Sequence, residues 1–290
     1  MRLLRASAAL AAAVFLAASP AALPESRVLV APVTQVQGLA FFRSSVVVSN
    51  VGSAGRPLRM TFTYRSPVDF SLQAAVVPPG GLSSNTLFPR RTFHAEDVVA
   101  YFKTQGAIRS ADLAQQLFGT LLVVCEGADP GSCPAVVRTY SAAAEGGTNG
   151  IAYVGSELSS ASFATNRMAL LLRNGSFGQE GSIRSNLGAI HAGSAEAGVQ
   201  DLGPISVRLS FYDGDSGARV GSQPIFTLQP LEVIQWNGVF TRADFGIPAG
   251  TDTIVVFVDR VAGSARMTGY GVELDNESQD GSYFTPFLLD

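Results

Sequence analysis

Leu58-Arg59-Met60-Thr61-Phe62-Thr63-Tyr64 is written in period two. Leu58, Met60, Phe62 and Tyr64 alternate with Arg59, Thr61 and Thr63. Successive side chains of a strand point to opposite faces, so the first set faces a core and the second faces away from it. Val207, Leu209 and Phe211 repeat the pattern against Arg208 and Ser210 within Ile205–Tyr212. Short runs rich in Val, Ile, Leu and aromatic residues surround these two. In the first half they are Val28–Val30, Ser45–Ser49, Leu121–Cys125, Ala135–Tyr140 and Ile151–Val154. In the second half they are Met168–Leu172, Arg184–Ile190, Ile225–Leu228, Val233–Trp236, Ile254–Val258 and Thr268–Leu274. Turn clusters such as Asn50-Val51-Gly52, Pro78-Pro79-Gly80-Gly81 and Asp213-Gly214 separate them. Many short strands punctuated in this way predict an all-β sandwich or barrel.

One region reads as helical. Val98, Val99 and Phe102 fall at helical spacing within Glu96–Lys103. Downstream, Ser110 stands as an N-cap to Ala111–Phe118, with Asp112 in the first turn and Gly119 at the end. Two short helices, joined by Thr104–Arg109, are therefore expected as an insert in the first half.

The chain opens Met1-Arg2-Leu3-Leu4-Arg5, runs apolar from Ala8 to Ala18, and continues Ser19-Pro20-Ala21-Ala22. A short basic segment, an apolar run below the about 20 residues of a membrane span, and small residues after it predict a cleaved signal peptide over 1–22. The 290-residue length then allows two domains, 23–157 and 158–290. The composition is 47% hydrophobic but only 15% charged, against about 25% in average soluble proteins. No later apolar run is long enough for a membrane helix. Net charge is −3, Lys103 is the sole lysine, and the arginines are scattered. Nucleic-acid binding, which needs a basic stripe to displace phosphate counterions, is not expected.

Cys125 and Cys133 flank Glu126-Gly127-Ala128-Asp129-Pro130-Gly131-Ser132. Apolar runs on either side and turn formers between them predict a hairpin pinched by a disulfide, in keeping with an oxidising compartment. Zinc would want four ligands, and redox pairs are usually spaced by two residues rather than seven.

The halves share an order of features. Arg43-Ser44 opens one strand and Arg184-Ser185 another; an alternating strand, a proline-marked turn and a late Arg-containing strand with a tyrosine follow in each. The full series reads Arg43-Ser44, Asn50-Val51-Gly52, Pro79-Gly80, Asp97-Val98-Val99, Phe118-Gly119 and Arg138-Thr139-Tyr140. It continues with Arg184-Ser185-Asn186-Leu187-Gly188 and Asp275-Asn276. This series resembles a family of exported bacterial proteins with tandem immunoglobulin-like sandwich units. The resemblance implies export and two sandwich domains, and supplies no activity. The Cys125–Cys133 hairpin is not part of that pattern.

Several chemistries were weighed. Gly214-Asp215-Ser216-Gly217 copies the nucleophile motif of trypsin-like proteases, but Ala218-Arg219 follow where Gly-Pro is expected. Such a serine also needs a histidine base oriented by an aspartate, and only His94 and His191 exist. Asp213-Gly214 after an alternating strand reads as a hairpin turn. His94 is expected before the first helix and His191 at a strand end. Asp275, Glu277 and Asp280 offer calcium-type oxygens without a complete binding loop. Gly269-Tyr270-Gly271 lacks the third glycine of a dinucleotide fingerprint. Trp236 stands either in a core or, if exposed near Tyr212 or Tyr270, on a sugar-stacking surface. The expectation is a non-catalytic binding or structural module without cofactor, secreted, periplasmic or at the cell surface. Its partner would be a protein or glycan of the envelope. The rivals are a secreted hydrolase and a carbohydrate-binding accessory module.

Overall fold

A computed structural model describes residues 25–37, 41–78, 86–142, 146–158, 166–176, 179–180, 182–193, 203–276 and 281–289. The expected signal peptide, the Pro79-Gly80 turn, Glu277 and Asp280 lie outside the described residues.

The chain is all-β and its strands pair antiparallel. The first half carries β1 Glu25–Gln37, β2 Phe41–Ser49, β3 Arg56–Arg65, β4 Leu72–Val77 and β5 Thr86–Leu87. After these come β6 Thr92–Ala95, helix α1 Val98–Thr104, β7 Leu117–Glu126, β8 Ala135–Ala142, β9 Thr148–Val154 and β10 Ser156–Glu157. The second half carries β11 Arg167–Arg173, β12 Gly175–Ser176, β13 Gln179–Glu180, β14 Ile183–Gly193 and β15 Ile205–Asp213. It continues with β16 Arg219–Val220, β17 Ile225–Leu228, β18 Val233–Trp236, β19 Thr253–Ala262 and β20 Arg266–Asp275. The last two strands are β21 Gly281–Phe284 and β22 Phe287–Leu289. Among the described residues no helix is long and apolar enough to cross a membrane.

Every strand that the periodicity predicts is present. In β3, Leu58, Met60, Phe62 and Tyr64 are buried, and Leu121, Val123 and Cys125 of β7 lie opposite or near them on the same face. These side chains join Val46, Val48, Ala135 and Val137 of β2 and β8 in one core. Strand β1 links the two layers. It pairs with β7 from Glu25 to Gln35, shifts register between Val30 and Val33, and reaches β2 through Gln35–Gln37.

The helical expectation holds for α1 and fails for the second segment. Asp97 caps α1, its Oδ1 accepting from the Ala100 amide at 2.9 Å, and Val98, Val99 and Phe102 are buried. Ser110–Asp112 makes only one 3-10 turn, and Leu117-Phe118-Gly119 belong to β7. The Leu113–Leu117 spacing is helical, but Leu113 is exposed while Leu117 is buried opposite Gln35. Sheet pairing overrides the local pattern there. His94 lies in β6 opposite Val47 rather than capping the helix.

Strand for strand, the halves pair in the same order. In the first, β4-β3-β7-β1 forms one run and β6-β2-β8-β9 the other. In the second, β17-β15-β19-β11 and β18-β14-β20-β21 correspond to them. Among the described residues no strand of one half pairs with a strand of the other.

The cores cross that divide. The sheet β18-β14-β20-β21 is covered on both faces. Leu187, Ala189, Trp236 and Met267 pack with Met168, Leu170, Val207, Leu209 and Phe211 in the core of the second half. On the other face, Ile190, Ala192, Val233, Tyr270, Val272 and Leu274 join the core of the first half. Burial on both faces explains why β14 and β20 carry near-continuous apolar and small residues instead of a clean alternation. The Gly269-Tyr270-Gly271 sequence has its explanation here. A Cβ on Gly269 would lie 2.4 Å from the Met168 side chain, and one on Gly271 3.0 Å from Leu172. The glycines let β11 approach, and Tyr270 points the other way.

Candidate functional site

A cleft of about 240 Å³ opens where the two halves meet. One wall comes from the first half: Thr34 and Val36 of β1, Phe118 of β7, Thr139 of β8, and Ile151 and Tyr153 of β9. The other wall is the outward face of β18-β14-β20: Arg184 and Asn186, Gln235, Val272 and Leu274, with Asn237 just beyond β18. Strand parity places these groups. Arg184 and Asn186 share a face with Ile190, while Leu187 and Ala189 point into the other core.

Beside the cleft three tyrosines cluster. Tyr153 meets Tyr283 edge-on at 5.0 Å between ring centroids and Tyr270 at 6.0 Å. Tyr270 lies across Gly188, its register partner, where a Cβ would come within 2.2 Å of the ring. Burial pushes the hydroxyls of Tyr153, Tyr270 and Tyr283 above the ordinary phenol range, so all three stay protonated. The Tyr270 hydroxyl donates to Gln235 Oε1 at 2.7 Å, and Gln235 Nε2 donates to Asn237 Oδ1 at 2.6 Å.

Asn186 is only 4% exposed, and its Oδ1 accepts from the Gly238 amide at 2.9 Å. Its Nδ2 has no partner among the described residues. Across the cleft Thr34 is also 4% exposed, and its Oγ1 is buried without a hydrogen bond. Ser44 Oγ accepts from the Thr34 amide at 2.9 Å and lies 2.7 Å from Thr139 Oγ1, so neighbouring hydroxyls are occupied and that of Thr34 is not. The Nε of Arg184 is buried and unpartnered as well. Buried polar groups are ordinarily satisfied. Two unsatisfied ones, Thr34 Oγ1 and Arg184 Nε, line this one cleft, with the spare Nδ2 donor of Asn186 beside them.

Away from the cleft the halves are latched directly. Arg65 Nε donates to Glu232 Oε1 at 2.8 Å, and Thr120 Oγ1 donates to the Leu231 carbonyl at 2.6 Å. His191 is buried beside this latch, and its amide donates to the Glu232 carbonyl. Its Nδ1 accepts from the Gly193 amide at 3.0 Å, which leaves Nε2 to donate to the Gly203 carbonyl at 3.3 Å. Burial holds its pKa below the ordinary value.

Ser216 sits in the exposed turn between β15 and β16. Its Oγ donates to Asp213 Oδ1 at 2.6 Å, and its amide donates to the same oxygen at 2.7 Å. These bonds hold the Asp213 carboxyl below the usual carboxylate range. Neither His94 nor His191 bonds to Ser216: His94 lies 3.7 Å from Glu96, and His191 is engaged as described. Trp236 is 2% exposed, packed 4.8 Å from Phe226 and 6.4 Å from Phe245 between ring centroids. It stands in a core and offers no sugar-stacking surface. Tyr212 of β15 meets Phe257 of the neighbouring strand β19 edge-on, in the same sheet. Asp275 is the last residue of β20, and its calcium-type companions Glu277 and Asp280 are outside the described residues. Among the described residues no three His, Cys, Asp or Glu side chains group as metal ligands.

Cys125 and Cys133 form a disulfide with Cα atoms 6.4 Å apart. Glu157 supports this end of the molecule, accepting from Ser26 Oγ, the Arg27 amide and the Gly131 amide.

The sequence reading placed Arg184 and Asn186 in a strand motif and missed them as site residues; Thr34, Gln235 and Asn237 went unremarked. A signal was present for two of them. Arg184 and Asn186 are polar at alternate positions of a strand whose other residues, His191 apart, are small or apolar.

No family model matches the chain, and no curated protein matches it. Among solved structures, a lectin from Pleurotus ostreatus in complex with GalNAc aligns over 93% of this chain and 77% of that one. The identity is 10% and the TM-score 0.20. The apo form of a Pleurotus ostreatus lectin aligns over 93% and 76%, at 9% identity and a TM-score of 0.20. Likenesses of this size carry no weight for fold or function.

Proposed function

We propose that the protein is an exported, non-catalytic binding module of two immunoglobulin-like sandwich units, 23–157 and 158–290, which takes a small ligand in the cleft between them. The matched pairing order of the halves supports the tandem reading. The basic-apolar-small N-terminal sequence supports export to the periplasm, the cell surface or the medium, where an envelope protein or glycan would supply the ligand. The observation that carries the binding role is the convergence of Thr34 and Arg184, each with a buried unsatisfied atom, on one cleft beside the buried Asn186. The volume is below the ~300–1,000 Å³ of sites for drug-sized molecules, so the ligand, or the part of it that enters, is small.

The test is a ligand-observed NMR screen of the mature chain with a fragment library of mixed charge. Val272→Trp serves as the plugged control. The expected result is a set of fragments whose binding the plug abolishes. Fragments that bind both proteins equally, or none at all, would overturn the cleft as the site. Turnover of ester or glycoside substrates that vanishes in Ser216→Ala would overturn the non-catalytic part.

A further inference from the structure

We infer that the cleft recognises a small organic monocarboxylate with a flat apolar body; this rests on the cleft being the binding site. Its lining holds no Asp or Glu and a single cation, Arg184. Arginines elsewhere divide: Arg65, Arg109, Arg173 and Arg208 pair with carboxylates, Arg138 and Arg260 donate to backbone carbonyls, and Arg266 keeps a buried, unpartnered Nη1 outside the cleft. Arg184 makes no hydrogen bond or ion pair within the described structure, and its Nε is buried. A half-buried guanidinium without an anion carries a desolvation cost that a bound anion relieves. Its planar fork of N–H donors matches the two oxygens of a carboxylate.

The amides add direction. An amide nitrogen and oxygen are distinguished only by their partners. The Gly238 amide is a donor, so it fixes Oδ1 as the engaged end of Asn186 and leaves the Nδ2 donor over. Asn237 pairs amide to amide with Gln235, whose other end meets the Tyr270 hydroxyl, a group able to donate or accept. The free amide group of Asn186 is therefore a donor, as an anion requires. Thr34 supplies a hydroxyl from across the cleft. One cation and no second basic residue match a single negative charge better than a phosphate dianion. Phe118, Ile151, Tyr153 and Leu274 complete the walls and call for an apolar body.

The experiment is titration of the mature chain with benzoate, trans-cinnamate and hexanoate, with their primary amides, and with inorganic phosphate. The expected result is saturable binding of at least one acid, at least tenfold tighter than its amide and than phosphate. Arg184→Gln should weaken that acid at least tenfold and erase the preference over the amide. Asn186→Asp keeps an oxygen for the Gly238 amide and adds a negative charge, and should also abolish acid binding. Circular dichroism confirms that both variants are folded. Equal binding of acid and amide, equal binding of phosphate, or an Arg184→Gln affinity within twofold of wild type would overturn the assignment. Should neutral fragments bind while no acid does, the carboxylate class falls and the cleft stands. Should nothing of any charge bind, both fall.

Discussion

The two faces of the sheet β18-β14-β20-β21 are made by the same strands and serve different ends. One face sends Leu187, Ala189, Trp236 and Met267 into the core of the second half, with His191 and Glu273 buried on the same face. The other is apolar and aromatic near Tyr270, latched by Arg65 and Glu232 at one side, and polar where Arg184 and Asn186 line a cleft. The first face is filled to contact; the second leaves donors unsatisfied. Packing alone would favour apolar residues at 184 and 186, because a buried polar group without a partner costs free energy. Their presence separates what holds the fold from what the fold presents.

The contrast can be broken by mutation, most sharply at Trp236. Trp236→Ala should cost about 3–5 kcal/mol in urea-unfolding free energy, the range for large aromatic truncations in a core. A cost below about 1 kcal/mol would mean that the inner face is not tightly packed. Next comes the clip of the first half, which has no counterpart in the second. Replacing both Cys125 and Cys133 with Ser should cost about 2–3 kcal/mol, read from denaturation midpoints under non-reducing conditions. Reductant should lower the wild-type midpoint and leave the variant unchanged.

A smaller effect separates the faces by pH. His191 lies opposite Met267, on the face turned to the core of the second half, and burial lowers its pKa in the folded chain. The unfolded chain, with an ordinary value of about 6.5, therefore takes up the proton first. The stability that comes from the neutral ring is complete above that value and is lost as pH falls through it toward the folded pKa. Protonation would also remove the Nδ1 acceptor used by Gly193. Melting temperatures measured between pH 7.5 and 5 should fall more steeply for wild type than for His191→Gln. Parallel curves would remove His191 from the account. The smallest effect is expected at the cleft. Arg184→Gln should change stability by no more than about 0.5 kcal/mol, since it breaks no partner contact. A large loss would show that the guanidinium holds the fold and would erase the contrast between the faces.

The strands were legible because half-buried strands advertise themselves by alternation, as in Leu58–Tyr64 and Ile205–Tyr212. Leu72–Val77 went unread: Ala74, Ala75, Val76 and Val77 give no period although β4 pairs along β3. The misread helix at Ser110–Phe118 had a cap and the right leucine spacing; what decided it was Leu117 pairing with Gln35, far off in sequence. The disulfide was legible because turn formers sit between the two cysteines. The cleft was not. Thr34, Arg184 and Gln235 come from three strands in two halves, and no local pattern reports which faces will be brought together. Trp236 was readable only as a pair of alternatives, because a four-residue strand does not say which of its sides is covered.

Part of the face of the first half that meets the second is made of Thr61, Thr63 and Thr120 beside Leu122 and Ala74. Tyr270, Val272 and Leu274, which help cover the first half, are made last. During synthesis the first half must wait for more than a hundred residues before this cover arrives. Hydroxyl groups can bond to water during that interval and still lie against an apolar neighbour afterwards. The threonines therefore suit an order of manufacture as much as a finished shape, and replacing them with valine should show first as a lower yield of folded protein.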